Sequence, residues 1–270
     1  MTRTLSDAQI REIAERHERA RVEVRPIGQV TLEHPAMTID DAYAAQQAWV
    51  DLQIAGGARL VGRKIGLTSV AMQQQMKIDE PDFGALLDYM VLTDGATIDT
   101  ARHVDPRLEV EVAFVLAQPL RGDDLTVVDV LRATEYVLPA LELIDARSHR
   151  VDPTTGRART VVDTIADNAA DAGVILGGRP VAPGDVDLRW VGAIFSRNGV
   201  VEETGLAAGV LNHPALGIAW LARRLAPYGL TLEPGQLVLS GSFTRAVAAR
   251  SGDTFTADYG PLGTVSCHFV

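Results

Sequence analysis

The sequence predicts an α+β protein in which a helical N-terminal part, residues 1–98, precedes a sheet domain, residues 99–270. In the first part, Ser6-Asp7-Ala8-Gln9 is a capping box, and residues 10–17 then place apolar side chains at helical spacing. From about residue 99 onward, short apolar runs alternate with polar residues at a period of two, which is typical of strands. We expect a mostly antiparallel, curled sheet in this second part.

Local signals predict the remaining elements. A second helix begins after Thr38 and ends at Gly56-Gly57, and residues 60–68 predict a strand that leads into a helix capped by Thr68 or Ser69. Residues 145–160 are polar and contain Pro and Gly, which predicts a long exposed loop or lid. Further strands are predicted over 108–116, around Glu142, and over 172–176, 188–195, 237–239, 254–257 and 264–270, with helices near 126–135 and from His213-Pro214 to 225 and a hairpin turn at Asn198-Gly199.

Composition excludes several classes of function. A net charge of −10 and a pI near 5.0 argue against a nucleic-acid or anionic-membrane partner. The sequence has no signal-peptide pattern, no membrane-length apolar stretch and a single cysteine, so we expect a cytoplasmic protein. The six histidines show no zinc-type spacing, and glycine-rich phosphate loops are absent from the sequence.

Two glutamates one residue apart are the most informative chemical feature. Glu109 and Glu111 lie in an alternating run, so their side chains point the same way from a strand, with Cα atoms roughly 6.5–7 Å apart. A third carboxylate, Glu142, lies in another apolar strand-like run. Three carboxylates without a histidine suit a hard divalent ion such as Mg²⁺. The alternative is that Glu109 and Glu111 line the wet face of an amphipathic strand.

Three other residues are candidates for the site, each with a simpler explanation. Lys64 lies in a glycine-flanked apolar strand, where it is either a cation facing a site or a charge that protects a sheet edge. Asp82 follows Pro81, where an aspartate commonly serves the turn. Ser242 in Ser240-Gly241-Ser242 either presents a hydroxyl to a substrate carboxylate or belongs to an ordinary glycine turn. The segment 163–168 is favoured as a helix cap over a site.

The motifs around these residues resemble the fumarylacetoacetate hydrolase superfamily, specifically its hydratase and decarboxylase branch. The resemblance covers essentially the whole chain, and the order and spacing of the motifs make it specific. The motifs are Gly62-x-Lys64-Ile65-Gly66-Leu67-Thr68-Ser69, Glu80-Pro81-Asp82-Phe83-Gly84, Arg107-Leu108-Glu109-Val110-Glu111, Ala140-Leu141-Glu142-Leu143-Ile144-Asp145, Asp167-Asn168-Ala169, 172–180, 207–214 and 241–245.

This resemblance implies a rolled mixed β-sheet with a smaller helical part, usually in a homo-oligomer. It implies that Glu109, Glu111 and Glu142 hold Mg²⁺ or Mn²⁺, with Lys64 and Asp82 beside a bound 2-oxo acid. The implied reaction adds water to the C4–C5 double bond of a seven-carbon 2-oxo-4-ene diacid through its 2-hydroxydienoate tautomer. The alternatives are hydration of the shorter 2-hydroxypenta-2,4-dienoate, decarboxylation of a vinylogous 2-oxo acid, and a partner subunit of such a decarboxylase. Which of Lys64, Asp82 and the glutamates activates water stays open at this point.

Overall fold

The computed structural model describes residues 3–69, 73–74 and 78–270, and within these ranges the chain is an α+β protein. Its α-helices are α1 (Asp7–Glu23), α2 (Val30–Glu33), α3 (Ile39–Ala55), α4 (Val127–Ala133), α5 (Val161–Ala166) and α6 (Pro214–Leu225). Its strands are β1 (Leu60–Gly66), β2 (Asp82–Leu87), β3 (Val91–Thr93), β4 (Ala96–Ile98), β5 (Pro106–Leu116), β6 (Thr134–Asp145), β7 (Asp171–Leu176), β8 (Gly192–Arg197), β9 (Val200–Leu206), β10 (Leu237–Leu239), β11 (Val247–Ala248), β12 (Thr254–Asp258) and β13 (Thr264–Phe269).

The helical layer begins where the sequence predicts. The Ser6 hydroxyl accepts from the backbone N–H of Gln9, and the Gln9 side chain accepts from the backbone N–H of Ser6. The predicted capping box therefore begins α1. Thr38 and Asp41 form the same arrangement at the start of α3. The two helices pack together, and Trp49 of α3 is buried in one cluster with residues 85–87 of β2. This contact fixes the helical layer against the sheet.

The larger sheet has eight strands and carries the predicted site. Seven of them run in the order β2-β1-β10-β5-β6-β7-β3, and β11 adds to β5. Most pairs are antiparallel, but β1 runs parallel to β10, and β3 runs parallel to β7. The sheet is therefore mixed, as the family resemblance implies. Its first strand, β2, also packs against β7 and the turn before it, which closes the roll.

The smaller sheet has five strands in the order β4-β13-β12-β8-β9. The β8–β9 hairpin turns at Asn198-Gly199, as predicted, and both residues have positive φ. Phe195, Phe255 and Phe269 pack together as a fully buried aromatic row within this sheet. Among the described residues, no helix combines the length and the apolar character needed to cross a membrane.

Three details differ from the sequence expectations. The predicted strand over 188–195 begins instead with one 3₁₀ turn, Leu188–Trp190, and strand pairing starts only at Gly192. The N-terminal part was expected to be helical up to residue 98, but its last long helix among the described residues, α3, ends at Ala55. The strands β1–β4 follow before residue 98, and they belong to the two sheets that the rest of the chain forms. The division into two domains stays a prediction, and the helix expected after Thr68 falls mostly outside the described residues.

Candidate metal centre and active site

Strands β5 and β6 bring the three predicted glutamates together. The two strands are antiparallel, and their register places Glu109 directly opposite Glu142. Glu111 lies two residues further along β5 and therefore on the same face of the sheet. One carboxylate oxygen from each of the three residues lies within 4.8 Å of the other two. This cluster is called the acidic cluster below.

Two members of the acidic cluster are buried and poorly hydrogen-bonded, and the third, Glu109, is half-buried. Glu111 and Glu142 are both 0% exposed. Oε2 of Glu111 accepts a hydrogen bond of 2.8 Å from the backbone N–H of Gly241, but its Oε1 and both oxygens of Glu142 accept none among the described residues. Burial and then the charge of Glu142 raise the pKa of Glu109 to about 7 and that of Glu111 well above its usual value.

These properties fit a hard divalent cation. Buried carboxylates without hydrogen bonds cost stability unless a positive charge offsets them. An all-oxygen donor set suits Mg²⁺, Mn²⁺ or Ca²⁺ better than it suits zinc, which favours nitrogen and sulfur ligands. The residues that would hold such a cation are Glu109, Glu111 and Glu142.

Lys64 on β1 supplies a positive charge to the acidic cluster. Its Nζ lies 3.2 Å from Oε1 of Glu142, and only 5% of its side chain is exposed. Burial alone lowers the pKa of Lys64, but the neighbouring carboxylates, first Glu142 and then Asp82, raise it above its usual value. Lys64 is therefore a buried, charged residue. The alternative of a solvated charge that protects a sheet edge is wrong, because β1 is not an edge strand: it pairs with β10 on one side and with β2 on the other.

Asp82, at the start of β2, lies next to Lys64. The register pairs Asp82 with Gly66 and Gly84 with Lys64. A Cβ atom at Gly66 would come within 2.2 Å of Oδ1 of Asp82 and 3.3 Å of Nζ of Lys64. Glycine at this position therefore leaves room for both side chains. Burial raises the pKa of Asp82, partly offset by Lys64, and its Oδ1 has no hydrogen-bond partner within the described ranges.

Ser242 is less clearly placed for substrate than the sequence suggests. Its hydroxyl donates to the backbone carbonyl of Thr244 at 2.9 Å and to that of Val110 on β5 at 3.3 Å, and it accepts from the backbone N–H of Thr244, so its hydrogen bonds serve the backbone. In the same turn, Gly241 has a φ of 114° and donates its N–H to Glu111. The turn thus contacts the acidic cluster through its backbone, and a substrate role for the Ser242 side chain stays a prediction.

Asp171 is a member of this region that the sequence analysis missed. It is 0% exposed, and neither carboxylate oxygen has a hydrogen-bond partner among the residues described. Burial and the charge of Glu142 raise the pKa of Asp171 well above its usual value, whereas Lys64 acts in the opposite direction. The available signal was an aspartate at the first position of a buried strand, which is also common at ordinary turns.

The turn before Asp171 has an unusual backbone. Asn168, Ala169 and Ala170 have φ values of 49°, 50° and 59°, three consecutive left-handed residues of which none is glycine. Asn168 holds the turn to β2, because its side chain donates to and accepts from the backbone of Ala85. Arg147 holds Asp167 through two side-chain donors and one backbone donor. Thr160 is the N-cap of α5 and Asp163 completes its capping box, so Asp163 has the helix-capping role favoured from the sequence.

The fold and the site define an α+β protein with a buried acidic cluster beside a charged lysine inside a rolled mixed sheet. Residues 60–270 match the family model described as "Fumarylacetoacetate (FAA) hydrolase C-terminal". The chain therefore belongs to the fumarylacetoacetate hydrolase family, and the family resemblance seen in its motifs is confirmed.

Individual relatives cover nearly the whole chain. The 2-oxo-hept-4-ene-1,7-dioate hydratase of Escherichia coli is 60% identical over 96% of this chain and 97% of its own length. The 2-keto-4-pentenoate hydratase of Paraburkholderia xenovorans is 40% identical over 91% of this chain and 89% of its own. The solved structure of 4-oxalocrotonate decarboxylase from Pseudomonas putida G7, complexed with magnesium and adipate, superposes with a TM-score of 0.95 at 37% identity over 100% of both chains.

Proposed function

We propose that this protein is a hydratase that adds water to the C4–C5 double bond of 2-oxohept-4-ene-1,7-dioate and forms 4-hydroxy-2-oxoheptanedioate. The observation that carries the proposal is the 60% identity, over nearly the full length of both chains, to a hydratase named for this substrate. The acidic cluster with Lys64 and Asp82 supports the same chemistry, since the reaction needs a site for a 2-oxo acid and a proton carrier close to its carbon chain.

The cofactor in this proposal is Mg²⁺ or Mn²⁺, held by Glu109, Glu111 and Glu142. When bound, it would offset the negative charge that develops on the C2 oxygen as the substrate changes tautomer. Support comes from the unpaired buried oxygens of the glutamates and from the magnesium named in the related decarboxylase structure.

Lys64 and Asp82 have distinct roles in the proposal. Lys64 binds the C1 carboxylate, because it is the charged donor buried beside the acidic cluster. Asp82 carries protons, because burial raises its pKa and its Oδ1 is free of hydrogen bonds from the described residues. In its protonated form it delivers a proton to C5, and as a carboxylate it takes a proton from the water that attacks C4. The proton lost from C3 when the dienolate forms is regained at C3 after water has added at C4, so the net change is the addition of one water.

A decarboxylase is the second candidate, favoured by the TM-score of 0.95 to a decarboxylase structure. The same site could hold a vinylogous 2-oxo acid and release CO₂. A hydratase of the shorter 2-hydroxypenta-2,4-dienoate, and a partner subunit of a decarboxylase, complete the alternatives. A cytoplasmic homo-oligomer stays a prediction from the sequence.

Incubation with the seven-carbon dienol diacid and Mg²⁺ separates these functions. The hydratase should remove the ultraviolet absorbance of the dienol and yield a product heavier by one water. In a parallel incubation with the corresponding oxalo acid, a product lighter than that acid by one CO₂ would favour the decarboxylase. No turnover by the protein alone, combined with activation of a separate decarboxylase, would favour the partner subunit.

A further inference from the structure

Two arginines face each other on the ribbon that links β6 to α5. The loop predicted over 145–160 is exposed only in its later part, because residues 145–148 are buried, and Val151 pairs with Ala158 in an antiparallel bridge. The backbone N–H of Arg159 donates to the carbonyl of Arg150 at 2.9 Å, so these two residues are opposite each other. Neighbouring positions on an antiparallel ribbon bring side chains together, and like charges there destabilise the pair.

These arginines have fewer anionic partners than their burial requires. Nε of Arg150 pairs with Asp105, but its Nη2 is buried without a hydrogen-bond partner. Arg159 makes no side-chain hydrogen bond within the described residues, and its nearest carboxylate oxygen, on Asp167, is 3.9 Å away. Asp167 is already bound by Arg147. Burial and then the charge of Arg150 lower the pKa of Arg159 to about 10.

The ribbon lies beside the acidic cluster. Asp105, which holds Arg150, directly precedes β5 and its glutamates. Asp167, beside Arg159, directly precedes Asn168, whose carbonyl oxygen would be 2.6 Å from a Cβ atom at Gly84, with Cε of Lys64 at 3.3 Å. The two arginines are close enough to act electrostatically on the site, because the charge of Arg150 lowers the pKa of Glu109 and that of Arg159 lowers the pKa of Asp82.

We propose that Arg159, supported by Arg150, binds the distal carboxylate of a dicarboxylic 2-oxo acid whose 2-oxo end lies at the acidic cluster. The proposal rests on the proposed function for the placement of that 2-oxo end. A carboxylate between the guanidinium groups would supply the missing acceptors and offset the repulsion between the two arginines. The site thereby selects a seven-carbon diacid over a shorter acid that has no second carboxylate.

A purely structural role explains Arg159 poorly. An arginine that anchors a loop is expected to make several close hydrogen bonds, as Arg147 does with Asp167 and with the carbonyl of Asp171. Arg157 on the same ribbon also has a structural partner, since its Nη2 donates to the hydroxyl of Thr31 at 2.9 Å. Arg157 is therefore a matched control that removes the same charge from the same ribbon.

Binding of two saturated probes tests the subsite without turnover. 2-Oxoheptanedioate and 2-oxoheptanoate share the 2-oxo acid end and differ in the distal carboxylate, and neither has a double bond to hydrate. With saturating Mg²⁺, calorimetry should show roughly 30-fold or tighter binding of the diacid to the unchanged protein, as expected for a charge pair in a partly buried site. A difference below about threefold would overturn the subsite.

The variants then assign the subsite to residues. Arg159→Met should bring the two dissociation constants to within about threefold of each other, whereas Arg157→Met should keep the preference for the diacid. Arg150→Met should have a smaller effect, about 3- to 10-fold, because Asp105 already neutralises much of its charge. If Arg159→Met does not fold, Arg159→Lys should fold and retain a reduced preference. A full preference in Arg159→Met, or equal losses in Arg159→Met and Arg157→Met, would overturn the role of Arg159.

Kinetics separate this inference from the proposed function. Arg159→Met should raise KM for the seven-carbon dienol by about 30-fold or more, which is at least about tenfold beyond any change that it causes for 2-hydroxypenta-2,4-dienoate. If the unchanged protein hydrates neither dienol, the hydratase proposal fails, and the ratio of the two probe affinities still decides the subsite. If it hydrates both equally well and binds both probes equally well, the subsite fails and the hydratase stands.

Discussion

Asp41 in the helical layer and Glu111 in the larger sheet are both fully buried carboxylates, and their surroundings are opposite. Asp41 accepts hydrogen bonds from the backbone N–H groups of Thr4, Leu5 and Thr38 and from threonine hydroxyls. Although burial raises the pKa of Asp41, these bonds outweigh it and lower the pKa to about 2. Glu111 accepts one hydrogen bond, and burial and Glu142 raise its pKa.

The number of hydrogen-bond donors around each carboxylate distinguishes one that stabilises the fold from one that is proposed to bind a ligand. The charge of Asp41 is stabilised by the native structure, because its donors are already in place. The charge of Glu111 is destabilised by burial and by Glu142, and in the proposed function a bound divalent cation offsets it. Burial is thus equal in the two regions, and the supply of donors distinguishes them.

Removal of divalent cations should produce the largest effect. Exhaustive chelation is expected to abolish turnover, and added Mg²⁺ or Mn²⁺ should restore it, because among the described residues only Lys64 lies within ion-pair distance of the three glutamates. Turnover is followed by loss of dienol absorbance, and chelator pre-saturated with Mg²⁺ is the control. Full activity in the metal-free protein would contradict the proposal that Glu111, unlike Asp41, binds a cation.

Glu111→Gln should lower activity strongly without unfolding the protein. The amide can still accept from Gly241, but it removes an anionic ligand, so Mg²⁺ affinity and turnover should fall by about 100-fold or more, beyond the loss typical of outer partners. The metal-free variant should melt at the same temperature or higher, because carboxylate repulsion is relieved. Glu109→Gln and Glu142→Gln should also weaken Mg²⁺ binding. Calorimetric titration and thermal unfolding measure both effects, and unchanged affinity would exclude the residue as a ligand.

Lys64→Met should reduce kcat/KM by roughly 30- to 1000-fold, equivalent to about 2–4 kcal/mol of transition-state stabilisation. The reason is that a charge buried against Glu142 is available to a substrate carboxylate in a partly desolvated site. The control is Arg59→Met, which also removes one positive charge. Arg59 directly precedes the same strand, and its side chain is 81% exposed. Circular dichroism confirms folding, and similar small losses in both variants would show that Lys64 has no part in the reaction.

Asp41→Asn should have the reverse profile, with lower stability and kinetics within about twofold of the unchanged protein. The loss expected at neutral pH is about 2 kcal/mol, since the pKa of Asp41 falls from 3.8 to about 2 on folding. Because the folded pKa is the lower one, this stabilisation is complete above pH 4 and disappears as the pH falls through about 2. Urea unfolding at pH 6 and pH 2.5 should show the variant's deficit shrinking in acid. A constant deficit would mean that hydrogen-bond geometry, and not charge, is the cause.

The sequence predicts local features well because their physical causes are local. The capping box at Ser6, the helix start after Thr38 and the alternation around Glu109 depend on residues within four positions of one another, and each appears in the structure. The meeting of Glu109 with Glu142 depends on the register between two strands, which no local pattern specifies. For that step the family resemblance was needed.

Residues set by tertiary packing escaped prediction. Asp171 and Arg159 lie in segments whose sequences are typical of an ordinary turn and an exposed loop. They become notable only because folding buries them without adequate partners. The 3₁₀ turn at Leu188 was missed for a related reason, since an apolar run of this length fits either a strand or a short helical turn.

The left-handed run Asn168-Ala169-Ala170 has a consequence for the order in which the molecule assembles. Each non-glycine residue in this conformation costs free energy of about 1 kcal/mol or more, so the run cannot persist in an isolated chain. It is held by Ala85, 83 residues away along the chain, and by Arg147. We therefore expect the arrangement of charged side chains around Lys64 and Asp171 to form only after β2 has docked. Partly folded molecules would then lack a competent site even when both sheets are largely in place.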